Sequence, residues 1–459
     1  MVPERLQPLV EKTRPLAERF AAASFRLYLV GGVVRDLLLD RLHDQQDLDF
    51  TTDAPPDDIE RLVRPWADAV WLQGKRFGTI GLRSGDRRYE VTTHRAEAYT
   101  PESRRPEVAF SGSVEADLSR RDFTVNAMAL ELTSDLRLID PFGGAADLAA
   151  GRLRTPLSPD DSFNDDPLRM LRAARFIAGY SLQPDAALVD AVERLHPRLE
   201  IVSAERIRDE LDKLMVVDQP GEGLWFLTRS GLAEEFLPEL PALSLEQDPV
   251  HRHKDVLAHT IAVVDKTSPD RILRLAALFH DVGKPKTRSI GPGGVSFHHH
   301  EVVGARMTRD RMRALRYATE DIDAVSRLVE LHLRFHTYKM GWTDSALRRY
   351  VRDAGPLLDR LNELTRCDCT TRNQRRAEEL ARRMDALEAD IAALRQREEL
   401  EAIRPDLDGR RVMEILGIGP GRDVGRALAY LLELRLEEGP LPEEEAEARL
   451  RSWWAARQA

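Results

Sequence analysis

Leu27-Tyr28-Leu29-Val30-Gly31-Gly32-Val33-Val34-Arg35-Asp36 and, a short polar loop later, Gln46-Asp47-Leu48-Asp49-Phe50-Thr51 decide how this chain is read. The first segment reads as a buried strand that ends in two glycines and passes into a helix. The second reads as a short strand, whose period of two puts Asp47 and Asp49 on one face. Paired carboxylates on a rigid strand suit hard divalent cations. Mg²⁺ needs only one or two of them, because substrate phosphates complete its shell. The Gly31-Gly32 turn lets backbone N–H groups approach a phosphate at the positive end of a helix, and Arg35 is placed to add a charged fork. Each feature has a plain alternative, a solvated strand edge or an ordinary strand-to-helix turn.

The rest of the composition bounds the answer. A chain of 459 residues exceeds what one core supports, so several domains are expected. Only two cysteines occur, Cys367 and Cys369, too close for an unstrained bridge, so no disulfide framework is implied. The first residues, Met1-Val2-Pro3-Glu4-Arg5, lack a basic-then-apolar leader, and no apolar run approaches the ~18 residues of a membrane span. The expectation is a cytoplasmic protein with no membrane partner. A net charge of −10 argues against nucleic acid, yet arginines cluster at 104–105, 120–121, 169–175 and 372–383, and local fields there oppose the global sign.

Taken together, Gly31-Gly32-Val33-Val34-Arg35-Asp36 and Asp47-Leu48-Asp49 resemble the signature of class II tRNA nucleotidyltransferases and bacterial poly(A) polymerases. The resemblance implies that Asp47 and Asp49 hold Mg²⁺, that Gly32 and Arg35 contact the nucleotide, and that a 3′-hydroxyl attacks with loss of pyrophosphate. Further strands are expected at 69–72, 78–82 and 89–93, and Glu90 is either a third catalytic carboxylate or a solvated strand residue. The polar loop with Arg104-Arg105 corresponds to the region that governs the change from C to A addition in the family. Arg120-Arg121-Asp122-Phe123-Thr124-Val125-Asn126-Ala127 matches a further family stretch, with Arg121 suited to phosphate and Asp122 and Asn126 to a ribose hydroxyl.

Asp165-Asp166-Pro167-Leu168-Arg169-Met170-Leu171-Arg172-Ala173-Ala174-Arg175 follows. Asp166, Arg169, Arg172 and Arg175 are spaced to form one polar stripe along a helix. A carboxylate beside a guanidinium complements the edges of cytosine and adenine, whereas uracil and guanine would leave buried groups unpaired at ~1–3 kcal/mol each. The family carries this motif as Glu-Asp-x-x-Arg, and Asp165 replaces its first acid. Ser203 is expected to cap a bracing helix that carries Glu205 and Glu210.

From about 245, nine of the twelve histidines cluster: His251, His253, His259, His280, His298, His299, His300, His332 and His336. The order His259, His280-Asp281, Asp368 resembles the HD phosphohydrolase superfamily, and His300 and His332 match further ligands in some members. Mn, Ni, Fe, Co or Zn would suit these residues. A metal-free scaffold is the alternative. The glycine-rich run 416–426 reads either as a phosphate-gripping hairpin or as a tight helix connection.

The fold expected is α+β, a small mixed-sheet nucleotidyltransferase head followed by all-α neck, HD and tail domains. The boundaries expected are 1–150 for the head, 151–240 for the neck, 241–373 for the HD domain and 374–459 for the tail. The resemblance implies template-independent addition of CCA to the 3′ end of tRNA from CTP and ATP, with no obligatory protein partner. Poly(A) synthesis, CC-only or A-only addition, and an HD-driven phosphohydrolase are the alternatives.

Overall fold

The structure, a computed structural model, describes residues 7–42, 47–98, 107–133, 136–245, 255–291, 294–337, 342–369, 374–398 and 403–458. It divides into two compact units, Met1–Phe236 and Leu237–Ala459. Arg104 and Arg105 lie outside the described residues, as do His251 and His253.

The first unit is built on one mixed sheet. Its strands are β1 (Leu27–Val30), β2 (Leu48–Thr52), β3 (Ala69–Trp71), β4 (Thr79–Ser84) and β5 (Arg87–Thr93). An antiparallel arm, β6 (Arg95–Ala98) and β7 (Glu107–Phe110), leaves the sheet before β8 (Ala129–Glu131) and β9 (Arg137–Ile139) rejoin it. The order across the sheet is β3-β4-β5-β2-β1-β8-β9, with β2 and β5 parallel and the other pairs antiparallel.

Alternation along these strands gives the sheet two faces of different character. One face carries Leu27, Leu29, Leu48, Phe50, Ile80, Leu82 and Val91 into a core completed by helices α1 (Gln7–Ala22) and α3 (Pro56–Val63), which contribute Leu16, Phe20, Ile59 and Val63. Between these helices in sequence lies α2 (Gly32–Leu38). The opposite face is covered only in part. At β1 and β8, Tyr28, Val30 and Ala129 pack under Val114 and Leu118 of α4 (Val114–Ser119). At β2, β5, β4 and β3, much of that face stays solvent-accessible: Asp49, Glu90, Arg88, Arg83 and Trp71 are exposed. The site forms where the cover stops.

After α5 (Gly144–Ala149), whose first amides are capped by Asp140, the first unit is helical. It comprises α6 (Pro159–Asp165), α7 (Leu168–Tyr180), α8 (Ala186–Leu195), α9 (Ala204–Met215), α10 (Gly221–Arg229) and α11 (Leu232–Phe236). Glycine is required at 223, because a Cβ there would lie 2.6 Å from the Ala174 carbonyl oxygen, so α10 presses directly on α7. Ser203 caps α9 through the Arg206 amide, as the sequence leads one to expect.

Among its described residues the second unit is all-helical apart from a short antiparallel strand pair, 289–291 with 294–296. Its first half holds α12 (Val256–Lys266), α13 (Arg271–Phe279), α14 (Lys284–Thr287), α15 (His300–Ala314), α16 (Thr319–Leu331), α17 (Asp344–Ala354) and α18 (Leu358–Asp368). A long helix α19 (Gln374–Arg397) then leads to α20 (Gly409–Leu416), α21 (Arg422–Glu438) and α22 (Glu443–Gln458), which share a small core around Val412, Leu431 and Leu450. Gly417 ends α20 at φ +63°, so the glycine-rich run is the connection between α20 and α21. Trp453 stacks on Tyr430 at 4.8 Å, tying α22 to α21.

Candidate functional site

Parallel pairing of β2 with β5 sets Asp49 directly beside Glu90 on the open face. Asp47 stands one residue before β2, also exposed. Three carboxylates therefore converge at one end of the strand pair. The Asp49 carboxyl is pushed up to about 6, first by the protein surrounding it and then by the charge of Glu90, with Asp47 adding to the effect and Arg121 opposing it. Crowded like charges of this kind are relieved by a divalent cation, and this donor set fits Mg²⁺.

Gly31 occupies φ +74°, a conformation that L side chains rarely adopt, and its position explains the need. A Cβ there would meet Arg121 Nη1 at 3.0 Å. Arg121 is thus held over the glycine turn and close to Asp49, by its ion pair with Asp117 at 3.1 Å. Asp117 is fully buried; burial pushes its carboxyl up, but Arg121 and Arg120 outweigh that and hold it at about 2. Sequence reasoning missed Asp117, which has no motif of its own and acts by aiming Arg121.

Arg35 corrects the expectation of a phosphate fork. Its guanidinium is buried and committed: Nε and Nη2 donate to Asp36, Nη1 donates to Asn126 at 2.6 Å, and Nη2 also donates to the Tyr180 hydroxyl. The Tyr180 ring lies 4.0 Å from its carbon centre. Arg35 therefore ties the glycine-turn helix to the end of α7. Gly32 begins α2, where the first amides have no partner within the helix.

Asp122 and Asn126 continue this chain of contacts, which corrects their expected availability to a ribose. Asn126 donates to Asp122 Oδ1 at 2.9 Å, and the same oxygen accepts the Phe123 amide. The other carboxylate oxygen accepts Arg172 Nε at 2.9 Å and Nη2 at 2.7 Å. Burial raises the Asp122 pKa, but Arg172 and Asn126 outweigh it and hold the carboxyl well below the ordinary range. Arg172 reaches on to Glu210 at 3.3 Å, and Arg175 meets the other Glu210 oxygen at 2.8 Å. Glu210 is buried on α9 and braces both arginines, whereas Glu205 is exposed.

The single stripe expected along one helix is also corrected. Asp166 lies before α7 at φ −144°, followed by Pro167 at the helix start, so only Arg169, Arg172 and Arg175 ride the helix. Asp166 is held by Arg206 at 2.7 Å and by the Leu168 amide at 3.2 Å. Arg169 donates to Ser162 Oγ at 2.9 Å and to the Arg120 carbonyl at 2.5 Å. All four of these side chains are partly accessible, and Arg172 and Arg175 are in addition paired with Asp122 and Glu210. Arg206 and Tyr180 are the other residues that sequence reasoning missed.

In the second unit, all six expected residues converge. His259 Nε2 lies 2.9 Å from Asp368 and 3.3 Å from His280 Nε2. His280 Nε2 is 3.2 Å from Asp281 Oδ2, and His300 Nε2 is 3.4 Å from Asp281 Oδ1. His259, His280 and Asp368 form one group with ligand atoms within 4.8 Å of one another, and Asp281, His300 and His332 form another. His280, His300 and His332 each donate Nδ1–H to the carbonyl three residues earlier, Ala277, Phe297 and Val329. A carbonyl can only accept, so the neutral form of each ring turns its Nε2 lone pair inward. His300 Nε2 is buried without a hydrogen bond among the described residues. Burial and the nearby His280 push His332 down to about 3; on His280 burial is outweighed by Asp281 and Asp368, which raise it to about 10. This set of buried, tautomer-fixed imidazoles and carboxylates fits a divalent metal. Gly283 allows it, since a Cβ there would lie 2.1 Å from the His300 carbonyl oxygen. Cys367 and Cys369 are free, and burial pushes the Cys367 thiol up to about 11, consistent with an inert role.

A half-covered sheet with paired strand carboxylates, a glycine turn and a following helical module defines a nucleotidyltransferase-type head. Three family models match successive parts of the chain. The family described as poly A polymerase head domain matches residues 27–154, the probable RNA and SrmB-binding site of polymerase A matches 181–243, and the HD domain matches 255–393. The A-adding tRNA nucleotidyltransferase of Deinococcus radiodurans is 33% identical over 93% of this chain and 95% of its own length. The CC-adding tRNA nucleotidyltransferase of Thermus thermophilus is 33% identical over 94% of each chain. The CCA-adding enzyme of Bacillus subtilis is 40% identical, but over 49% of this chain and 55% of its own length. The fold is shared with the Bacillus stearothermophilus CCA-adding enzyme solved with CTP, at 23% identity and a TM-score of 0.70 over 100% of this chain and 99% of that one. This chain belongs to the tRNA nucleotidyltransferase and poly(A) polymerase family.

The raised Asp49 pKa makes a signed prediction. Above about pH 6, the metal-free folded protein carries an ionised carboxylate beside Glu90 that the unfolded chain carries in water, so ionisation at this position destabilises the fold. Asp49→Asn is expected to raise the melting temperature of chelator-treated protein at pH 7.5. That gain should shrink as pH falls through about 6 and vanish near the ordinary carboxylate value of 3.8. Calorimetry across pH 4–8 reads it, and an unchanged or lower melting temperature for the variant at pH 7.5 would refute the crowding.

Proposed function

We propose that this protein adds CCA to the 3′ end of tRNA from CTP and ATP without a nucleic-acid template. The observation that carries this reading is the pairing of Asp49 with Glu90 on the open sheet face, beside a glycine turn over which Arg121 is held. Asp47 and Asp49 would hold Mg²⁺, which lowers the cost of forming an alkoxide and of releasing pyrophosphate. Arg121 neutralises nucleotide phosphate at the Gly31-Gly32 turn. Glu90, from the neighbouring strand, orients the reacting 3′ end. Asp166 and Arg169 present an acceptor and a donor to the base edge, while Asp122, Arg172, Arg175 and Glu210 hold that reader in place. Residues 1–150 then act as head, 151–240 as neck, 241–373 as HD domain and 374–459 as RNA-binding tail. Among the described residues, no helix is long and apolar enough to cross a membrane, in keeping with work on tRNA in the cytoplasm.

A narrower product is the second reading, because the relatives that match this chain over nearly their full length are named for A addition and for CC addition. The test is extension of tRNA transcripts ending before CCA, after C, and after CC, with CTP, ATP or both. Ordered C, C and A followed by arrest is expected, abolished at least ~10³-fold in Asp49→Ala. Arrest at CC, or addition of A only to CC ends, would replace full CCA addition with the narrower activity. Unlimited A addition would replace it with poly(A) synthesis.

The six convergent residues of the second unit support a further divalent metal centre, of Mn, Ni, Fe, Co or Zn, with Asp281 shared between the two ligand groups. An ion there would act as a Lewis acid on a phosphoryl group. Metal analysis of purified protein should find bound transition metal that is lost in His280→Ala, with loss of hydrolysis of cyclic or terminal phosphates and retention of nucleotide addition. A wild-type protein that binds none of these ions would make the unit a scaffold.

A further inference from the structure

The strand registers place four residues in a single row across the open face. Trp71 of β3 pairs with Gly81 of β4, Gly81 with Glu90 of β5, and Glu90 with Asp49 of β2. Paired residues share a face, so the row runs from the catalytic acids outward to an indole. The position between them has no side chain. A Cβ on Gly81 would touch Trp71 Cε3 at 3.4 Å, so the indole leans over the glycine towards Glu90. One inter-strand step of ~4.8 Å separates Glu90 from Gly81 and two separate Asp49 from it, so the indole borders a bare floor about 5 Å from Glu90 and about 10 Å from Asp49.

An indole on the edge strand of a sheet is normally buried or capped, yet Trp71 is 38% exposed. Beside it, Arg83 and Arg88 are paired across β4 and β5, and both are exposed on this face. Like charges directly opposite one another destabilise a strand pair unless an anion lies between them. Arg88 also approaches the Trp71 ring, at 6.0 Å. A flat aromatic surface, an empty floor and two exposed cations are what a single-stranded nucleic acid requires, the first for a base and the last for its phosphates.

We infer that the floor at Gly81 seats the 3′-terminal nucleobase of the RNA substrate, stacked on Trp71, with Arg83 and Arg88 on the adjoining backbone phosphate. The inference rests on the transfer reading above and extends it to the RNA strand. The seat lies across the row from the glycine turn and Arg121, so nucleotide and RNA approach the acids from opposite sides. Trp71 touches only the RNA, and its loss acts on RNA binding rather than on the nucleotide.

Steady-state extension with Trp71→Ala, Trp71→Phe and Gly81→Val tests this. Trp71→Ala should raise KM for the RNA about tenfold or more, the scale of one lost base stack, with KM for the nucleotide and kcat at saturating RNA within about twofold. Trp71→Phe should recover most of the affinity. Gly81→Val fills the floor with the indole intact and should raise the RNA KM in the same way, so a folding defect in one variant does not decide the outcome. RNA ending in 2-aminopurine should be quenched on binding wild type and not on binding Trp71→Ala. Wild-type extension with an RNA KM that neither Trp71→Ala nor Gly81→Val moves would overturn the stacking seat and leave the transfer reading standing. A wild type that extends no RNA would overturn both.

Discussion

The pair between buried Asp122 and half-buried Arg172 is the contact on which the first unit depends. Two hydrogen bonds of 2.9 and 2.7 Å join them, and each is also engaged elsewhere, Asp122 by Asn126 and Arg172 by Glu210. Removing one partner of such a pair leaves a buried charge uncompensated, at a cost of about 3–5 kcal/mol. Through Asn126 the contacts run to Arg35 and the helix of the glycine turn, and through Glu210 to Arg175. The glycine turn and α7 are thereby held in one register. These charges are engaged with one another, and in the proposed reading they hold Asp166 and Arg169 in place.

A second constraint is the incomplete cover of the sheet. The face packed on α1 and α3 is apolar at the centre of β1, β2, β4 and β5, while on the other face α4 packs on β1 and β8. The acids sit on β2 and β5, at the margin of that cover, where side chains reach solvent while still close to protein. The raised pKa of Asp49 reports the same boundary.

Much of this was legible in the sequence for physical reasons. Alternation identified the strands, and the glycine pair, the Asp-x-Asp strand and the histidine order carried their chemistry in residue type alone. Five of the six candidate ligands of the second unit sit at helix ends or next to them, and the carbonyls that fix His280, His300 and His332 lie three residues back, a local feature. Elsewhere the sequence misled. Arg35 next to a glycine turn reads as a phosphate fork, but its partners Asn126 and Tyr180 are 91 and 145 positions away. The stripe through Asp166 ignored Pro167, which disfavours the helical conformation in the residue before it. Asp117, Arg206 and the row from Asp49 to Trp71 depend on tertiary pairing, which spacing does not encode.

The central claim is that base selection is set by a reader held in place from behind, by groups that never touch the nucleotide. Glu210, buried on α9 and paired with Arg172, Arg175 and Lys213, isolates that claim. The measurement is the ratio of kcat/KM for CTP to that for UTP in Glu210→Gln, on tRNA lacking CCA. The account predicts that addition continues while the ratio falls about tenfold or more, the scale of one buried polar group left mispaired. A folded variant with an unchanged ratio would contradict it.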